Sequence, residues 1–197
     1  MPHLQCFSKH HLNQTAADFI NTGCYSIGTK RFRRKFKKCG SIFNQSHLQL
    51  STLYIHKYCV DQDTEVCELE LESTLSNIRI LFIYRSNVKN FNTFVIQVDK
   101  ILQKMWIVKS NIVISGDLNV SCLQEGEKKS QLNALLYSYN LFSIVHSPTR
   151  IYRNSVSAIN NIFIDTTKID TYEVIAAING LFDQDALIIK FKFKHFL

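Results

Sequence analysis

The stretch Asn111-Ile112-Val113-Ile114-Ser115-Gly116-Asp117-Leu118-Asn119-Val120 constrains the fold more than any other part of the chain. An apolar, β-branched run without alternation fits a strand buried on both faces, and here it leads into a glycine followed by a carboxylate and a carboxamide two positions apart. Such a strand needs cover on both sides. Period-2 geometry sets Asp117 and Asn119 on one side of an extended segment and turns Leu118 the other way, into packing. An acid beside an amide at a strand end suits gripping a water molecule or a hard cation. It equally suits an Asp turn whose side chain caps its own backbone.

The flanking sequence supplies the cover. Glu65 to Glu72 alternates Cys67, Leu69 and Leu71 with Glu68, Glu70 and Glu72, which predicts an antiparallel strand with a solvated acidic face. Asn77 to Tyr84 reads as a more deeply buried strand. Phe91, Phe94, Val95, Val98, Ile101, Leu102 and Met105 recur at helical spacing, and Leu132, Leu135, Leu136 and Tyr139 mark a second helix. Strands are expected at Leu4 to Phe7, Ser41 to Phe43, Asn140 to Val145, Ala158 to Ile164, Glu173 to Ile178 and Asp185 to Phe193. A brief helix capped by Asn13 or Thr15 runs through about Asn21, and Thr22 to Thr29 reads as a turn-rich connection. Strands interleaved with helices, several of them antiparallel, predict an α/β sandwich of two mixed β-sheets with helices outside.

At 197 residues and 46% hydrophobic content the chain can bury one sizeable core, and residues 1–197 are expected to form a single domain. The net charge of +7 is matched by the seven positive charges of Lys30 to Lys38, which leaves the remainder neutral. Basicity is therefore a local patch. Arg31, Arg33, Arg34 and Lys35 suit binding to phosphates, while a solvated loop is the other reading of the same run. Six cysteines without a CxxC pair, and a start without an apolar signal core, point to reduced thiols in an intracellular protein, nuclear or cytoplasmic. The adjacent His10 and His11 do not suggest zinc. No apolar run is long enough to span a bilayer, and nothing points to an oligomer.

Gly116-Asp117-Leu118-Asn119 resembles the Gly-Asp-Phe-Asn motif of the endonuclease/exonuclease/phosphatase superfamily, which includes DNase I and the apurinic endonucleases. Ile80 to Ser86 resembles that family's strand ending in an active-site Tyr, here Tyr84. Ser147-Pro148-Thr149-Arg150, followed by Ser155 to Phe163, is similar to a segment of non-LTR retrotransposon endonuclease domains. Gly180 to Ala186 sits where those domains read Gly-Leu-Ser-Asp-His-Asp-Ala. The resemblance runs in order from about Cys6 to Ile189. It implies a Mg²⁺- or Mn²⁺-dependent phosphodiesterase that nicks DNA, with a reverse-transcriptase domain as a possible partner in the parent element.

Carried over by position, Tyr84, Asp117, Asn119 and Asp183 match the catalytic pattern, with Asp117 also a weak metal ligand. Lys9 stands where the family has its metal-binding Glu, Asn160 where it has the Asp that orients a histidine, and Gln184 where that histidine falls. Phe182 replaces a serine. The family's opening strand and its active-site Asn have no counterpart, so a truncated and degenerate copy is expected. Each of these replacements is one nucleotide change away. Arg85 and Arg150 join Arg31, Arg33, Arg34 and Lys35 as expected nucleic-acid contacts. Two functions follow: an endonuclease-type domain with impaired catalysis, or a non-catalytic nucleic-acid-binding remnant that relies on residues 30–38.

Overall fold

The computed structural model of the chain describes residues 4–7, 25–30, 41–45, 50–51, 58–59, 63–71, 77–88, 90–107, 110–177 and 186–193. In order, these form β1 (Leu4–Phe7), β2 (Tyr25–Lys30), β3 (Ser41–Gln45), β4 (Leu50–Ser51), β5 (Thr64–Leu71) and β6 (Ile78–Arg85). Helix α1 (Phe91–Trp106), β7 (Asn111–Asp117), α2 (Glu127–Ser138) and β8 (Phe142–Ser143) follow. The chain then forms β9 (Arg150–Tyr152), β10 (Ser155–Ser157), β11 (Asn160–Ile164), β12 (Ile169–Ala177) and β13 (Ala186–Phe193). The helix expected before Asn21 and the basic run 31–38 lie outside the described residues.

The central sheet has six strands in the order β4-β5-β6-β7-β11-β8. Its β6–β7 pair is parallel, while the β5–β6 and β11–β7 pairs are antiparallel. A parallel pair needs a crossover, and α1 supplies it between β6 and β7. Antiparallel ladders β1-β3-β2 and β12-β13 complete the β-structure outside the small β9–β10 hairpin.

The two faces of the central sheet bury different sets of side chains. Leu81, Ile83, Ile112 and Ile114 pack against Phe94, Val98, Ile101, Leu102 and Met105 of α1 and Leu132 and Leu136 of α2. Ile80, Val113, Ile162 and Ile164 face the other way, with Val174, Leu187 and Ile189 of the β12–β13 hairpin against them. Each fully buried Leu or Ile contributes about 1.5–3 kcal/mol. The two described helices lie on one outer face of the central sheet, which agrees with the expectation of helices outside and adds that they share a face. The helix spacing is reproduced: all the expected α1 positions are buried except Val95, which packs at the edge of the same cluster.

Three local expectations change. Residues 25–30, expected as a connection, form β2; its register against β3 shifts between Ile27 and Thr29, so Gly28 marks a bulge in a strand. The expected strand at Asn140 to Val145 shrinks to Phe142–Ser143 plus one further bond from the Ile144 N–H to the Ile162 carbonyl. The acidic face of β5 is not solvated. Glu68 is only 3% exposed and Glu70 is buried beside it, because Arg79 of β6 lies against both, at 4.0 Å from Glu68 and 3.3 Å from Glu70.

One guanidinium serving two buried carboxylates leaves Glu68 under-compensated. Burial pushes its pKa up from 4.5 to about 7; Arg79 opposes the shift and Glu70 adds to it. The stability this group contributes is therefore full below its unfolded pKa and is lost as pH rises through about 7. Melting followed by circular dichroism should show Glu68→Gln gaining on the wild type as pH is raised from 5 to 8. A difference in melting temperature that stays constant over that range would contradict this.

Candidate active site

Gly116 determines how β6 and β7 meet. Its φ is +141°, and a Cβ built there would fall 1.8 Å from the Ile83 carbonyl oxygen. Glycine removes both obstacles and lets the two backbones close up.

That close approach aligns the strand ends. Tyr84 pairs with Asp117 across the parallel ladder, and Asp117 pairs with Asn160 across the antiparallel one. Glu65 pairs with Tyr84 on the far side. In-register residues share a face, so Glu65, Tyr84, Asp117 and Asn160 form one transverse row. The row lies on the face of Ile80, Val113 and Ile162, between the central sheet and the β12–β13 hairpin. The Leu118 N–H donates to the Ile159 carbonyl, which makes the neighbouring Asp117–Asn160 pair a non-hydrogen-bonded one. Side chains approach most closely at such positions.

Beyond Asp117 the chain turns instead of continuing as a strand. Asn119 has a φ of +50°, a left-handed conformation that Asn tolerates better than most residues. Asp117 Oδ1 accepts the Asn119 N–H at 3.1 Å, so the capping role that the motif also allows is filled. Asn119 reaches the row by this turn rather than by strand alternation. Its Nδ2 donates to the Arg85 carbonyl at 2.5 Å. Leu118 points into the helix-side core, as its place in the motif predicts. Asn161 Nδ2 donates to the carbonyls of Val120 and Ile159, tying the far side of the turn to the start of β11.

Arg85 overturns an expectation. Arg85 and Asp117 are both 0% exposed, but Arg85 lies on the helix face of β6, opposite the row and under α1, and cannot lie against a nucleic-acid backbone from there. Its guanidinium sits over the Phe91 and Phe94 rings, 4.9 and 5.5 Å from their centroids, and Nη1 donates to the Leu118 carbonyl at 3.3 Å. Burial pulls its pKa down from the ordinary arginine value, while Asp63, Tyr84 and Asp117 push it back up. Strand alternation puts the side chain on the helix face, where α1 covers it.

The other expected residues divide as follows. Tyr84, Asp117 and Asn160 come together in the row, and Asn119 joins them through the turn. Arg150 is half-buried at the start of β9 and is anchored next to the site, since Thr149 Oγ1 accepts the Asn160 N–H at 3.3 Å. Lys9, Asp183, Gln184, Arg31, Arg33, Arg34 and Lys35 lie outside the described residues. Two members went unforeseen. Glu65 had only its phase with Cys67 and Leu69 as a signal, and the buried Thr149 stands in the segment that carries the family resemblance but was given no role there.

Magnesium takes oxygen ligands and keeps several waters, so one or two carboxylates suffice when a phosphate shares the ion. The row offers the Asp117 carboxylate, with Glu65 beyond Tyr84. No group of three His, Cys, Asp or Glu side chains converges among the described residues. One Asp117 oxygen is already engaged by the turn. This donor set fits a single, largely hydrated ion held weakly through Asp117.

No family model and no curated protein matches the sequence. Solved structures do match the fold. The endonuclease domain of TRAS1, a telomere-specific non-LTR retrotransposon, superposes with a TM-score of 0.67 at 14% identity, over 86% of this chain and 81% of that one. The 3′-5′ exonuclease NExo from Neisseria meningitidis gives 0.70 at 13% identity, over 96% and 89%. The catalytic domain of Xenopus laevis APE2 gives 0.65 at 9% identity, over 98% and 83%. This chain thus has the endonuclease/exonuclease/phosphatase fold, and nucleases populate its structural neighbourhood.

A methyl group at Gly116 has nowhere to go without parting β6 from β7. Gly116→Ala is expected to lower the unfolding free energy by at least about 3 kcal/mol, as read by urea denaturation. A loss under about 1 kcal/mol would show that the strand ends can separate cheaply.

Proposed function

We propose that this chain is a DNA-engaging phosphodiesterase domain of the retrotransposon-endonuclease kind whose metal-assisted hydrolysis is impaired. The observation that carries this reading is the row of Tyr84, Asp117 and Asn160 at the end of the central strands, with Asn119 folded in behind the acid. It has the acid–amide pair that positions a water, and among the described residues its carboxylates are Asp117 at the centre and Glu65 beyond Tyr84, with the neutral Asn160 on the other side. The likeness to the TRAS1 endonuclease supports DNA as substrate.

In this mechanism Asp117 orients the attacking water as acceptor, and Asn119, its NH₂ committed to the Arg85 carbonyl, offers its Oδ1 as a second acceptor. Tyr84 contributes a phenol to the same face. A bound Mg²⁺ or Mn²⁺ would neutralise charge on the phosphate, with Asp117 as its protein ligand. Asp183 is assigned to the phosphate by resemblance. The impairment has three causes in the sequence: Lys9 repels a cation, Asn160 brings no charge to the row, and Gln184 can neither carry charge nor move a proton. The basic run supplies affinity for the backbone through counterion release.

Supercoiled-plasmid nicking with Mg²⁺ tests the proposal. The wild type should nick slowly and Asp117→Ala should not nick. Restoring Lys9→Glu, Asn160→Asp and Gln184→His together should raise the rate by on the order of 10²-fold or more. Neutralising Arg33, Arg34 and Lys35 should weaken DNA binding and reduce its salt slope by about 0.9 per lost phosphate contact. A wild type that binds DNA but never nicks, with a restored variant that is equally inert, would replace this reading with that of a binding-only remnant. Nicking that survives Asp117→Ala would discard the site.

A further inference from the structure

The central turn receives two contacts from a single residue. Arg85 Nη1 donates to the Leu118 carbonyl at 3.3 Å, and the Arg85 carbonyl accepts Asn119 Nδ2 at 2.5 Å. Side chain and main chain of one residue thus hold the Leu118 carbonyl and the Asn119 carboxamide of the turn that presents Asp117 and Asn119. A guanidinium is costly in such a place. It is 0% exposed, its Nε and Nη2 have no hydrogen-bond partner among the described residues, and two phenylalanine faces pack on it. An apolar side chain of the same length would fill the space without that desolvation cost. What it could not do is bind a carbonyl in the turn that follows β7.

We propose that Arg85 is a positioning residue: it fixes the Asp117-Leu118-Asn119 turn from behind the sheet and so orients the Asn119 carboxamide. Only an NH₂ can face a carbonyl oxygen, so the bond to Arg85 determines which end of the Asn119 amide is spent. The Oδ1 remains as the acceptor the site can use. The planar fork of arginine, locked between Phe91 and Phe94, keeps the Leu118 carbonyl and hence the left-handed Asn119 in place. The catalytic part of this inference rests on the reading of the site as a phosphodiesterase centre; its geometric part does not.

The experiment compares Arg85→Met and Arg85→Lys with the wild type by ¹⁵N-resolved NMR of the whole chain, alongside plasmid nicking. In the wild type the Asn119 side-chain amide should be shifted and protected from exchange. In Arg85→Met that protection should vanish and the Leu118 and Asn119 backbone signals should move, while Ile101 and Leu136 in the helix core stay put. Arg85→Lys, which can still donate to the Leu118 carbonyl, should recover part of the protection. Nicking in Arg85→Met should fall on the order of 10²-fold in kcat with KM little changed. Unchanged Asn119 protection in a folded Arg85→Met protein would overturn the inference. A wild type and a restored Lys9→Glu, Asn160→Asp, Gln184→His variant that both fail to nick remove the phosphodiesterase reading and leave the NMR comparison to decide on Arg85. If Arg85→Met fails to fold, the decision falls to Arg85→Lys and to the wild-type guanidinium protons: slow exchange supports the clamp, and exchange at the free rate overturns it.

Discussion

The structure depends on the contact between Gly116 and the carbonyl of Ile83, where two parallel backbones come closer than any side chain would permit. That contact keeps β6 and β7 in a register that sets Tyr84 opposite Asp117, and the antiparallel ladder on the other side of β7 then sets Asn160 opposite Asp117. Slipping either ladder by one residue would turn half of the row to the helix face. The chemistry of the site is thus a consequence of register, and register is a consequence of a missing Cβ.

Around this point the protein buries several charged side chains. Arg85 and Asp117 lie on opposite faces of the same strand ends, and Arg79, Glu68 and Glu70 lie lower on the helix face. Buried ions are weak contributors to stability and are strongly disruptive when one partner is lost. The apolar clusters on the two faces carry the stability, and the charged residues make particular arrangements of backbone the only comfortable ones. At Glu68 the arrangement is incomplete, which shows as a raised pKa. At Arg85 it appears as a guanidinium with two nitrogens unmatched among the described residues.

Much of this was legible in the residues. The unbroken run before Gly116, the helical spacing from Phe91 to Met105 and the Asp-Leu-Asn turn each name their own environment, because local periodicity and turn chemistry are written in neighbouring positions. The resemblance of motifs added that Tyr84 and Asn160 belong with Asp117, something no short window contains. What escaped lies in pairings, bulges and turns that periodicity along one segment does not mark. The strand at Tyr25–Lys30 was hidden by the bulge at Gly28. The β9–β10 hairpin turns through Arg153, at a φ of +52°, without the Asn-Gly signal that usually advertises such a turn. The glutamates of β5 looked solvated until Arg79 was placed beside them, and Arg85 looked like a phosphate contact until alternation along β6 put it under α1.

The central claim is that register alone assembles the row, and the Hα–Hα nuclear Overhauser effect between Asp117 and Asn160 tests it most directly. At a non-hydrogen-bonded antiparallel pair these two protons are nearest neighbours across the ladder. A strong cross-peak between them, with a second between Ser115 and Ile162, is the predicted result. Cross-peaks that instead join Asp117 to Ile159 or Asn161 would show a one-residue slip, with Asn160 turned away from Asp117 and no site of the kind described.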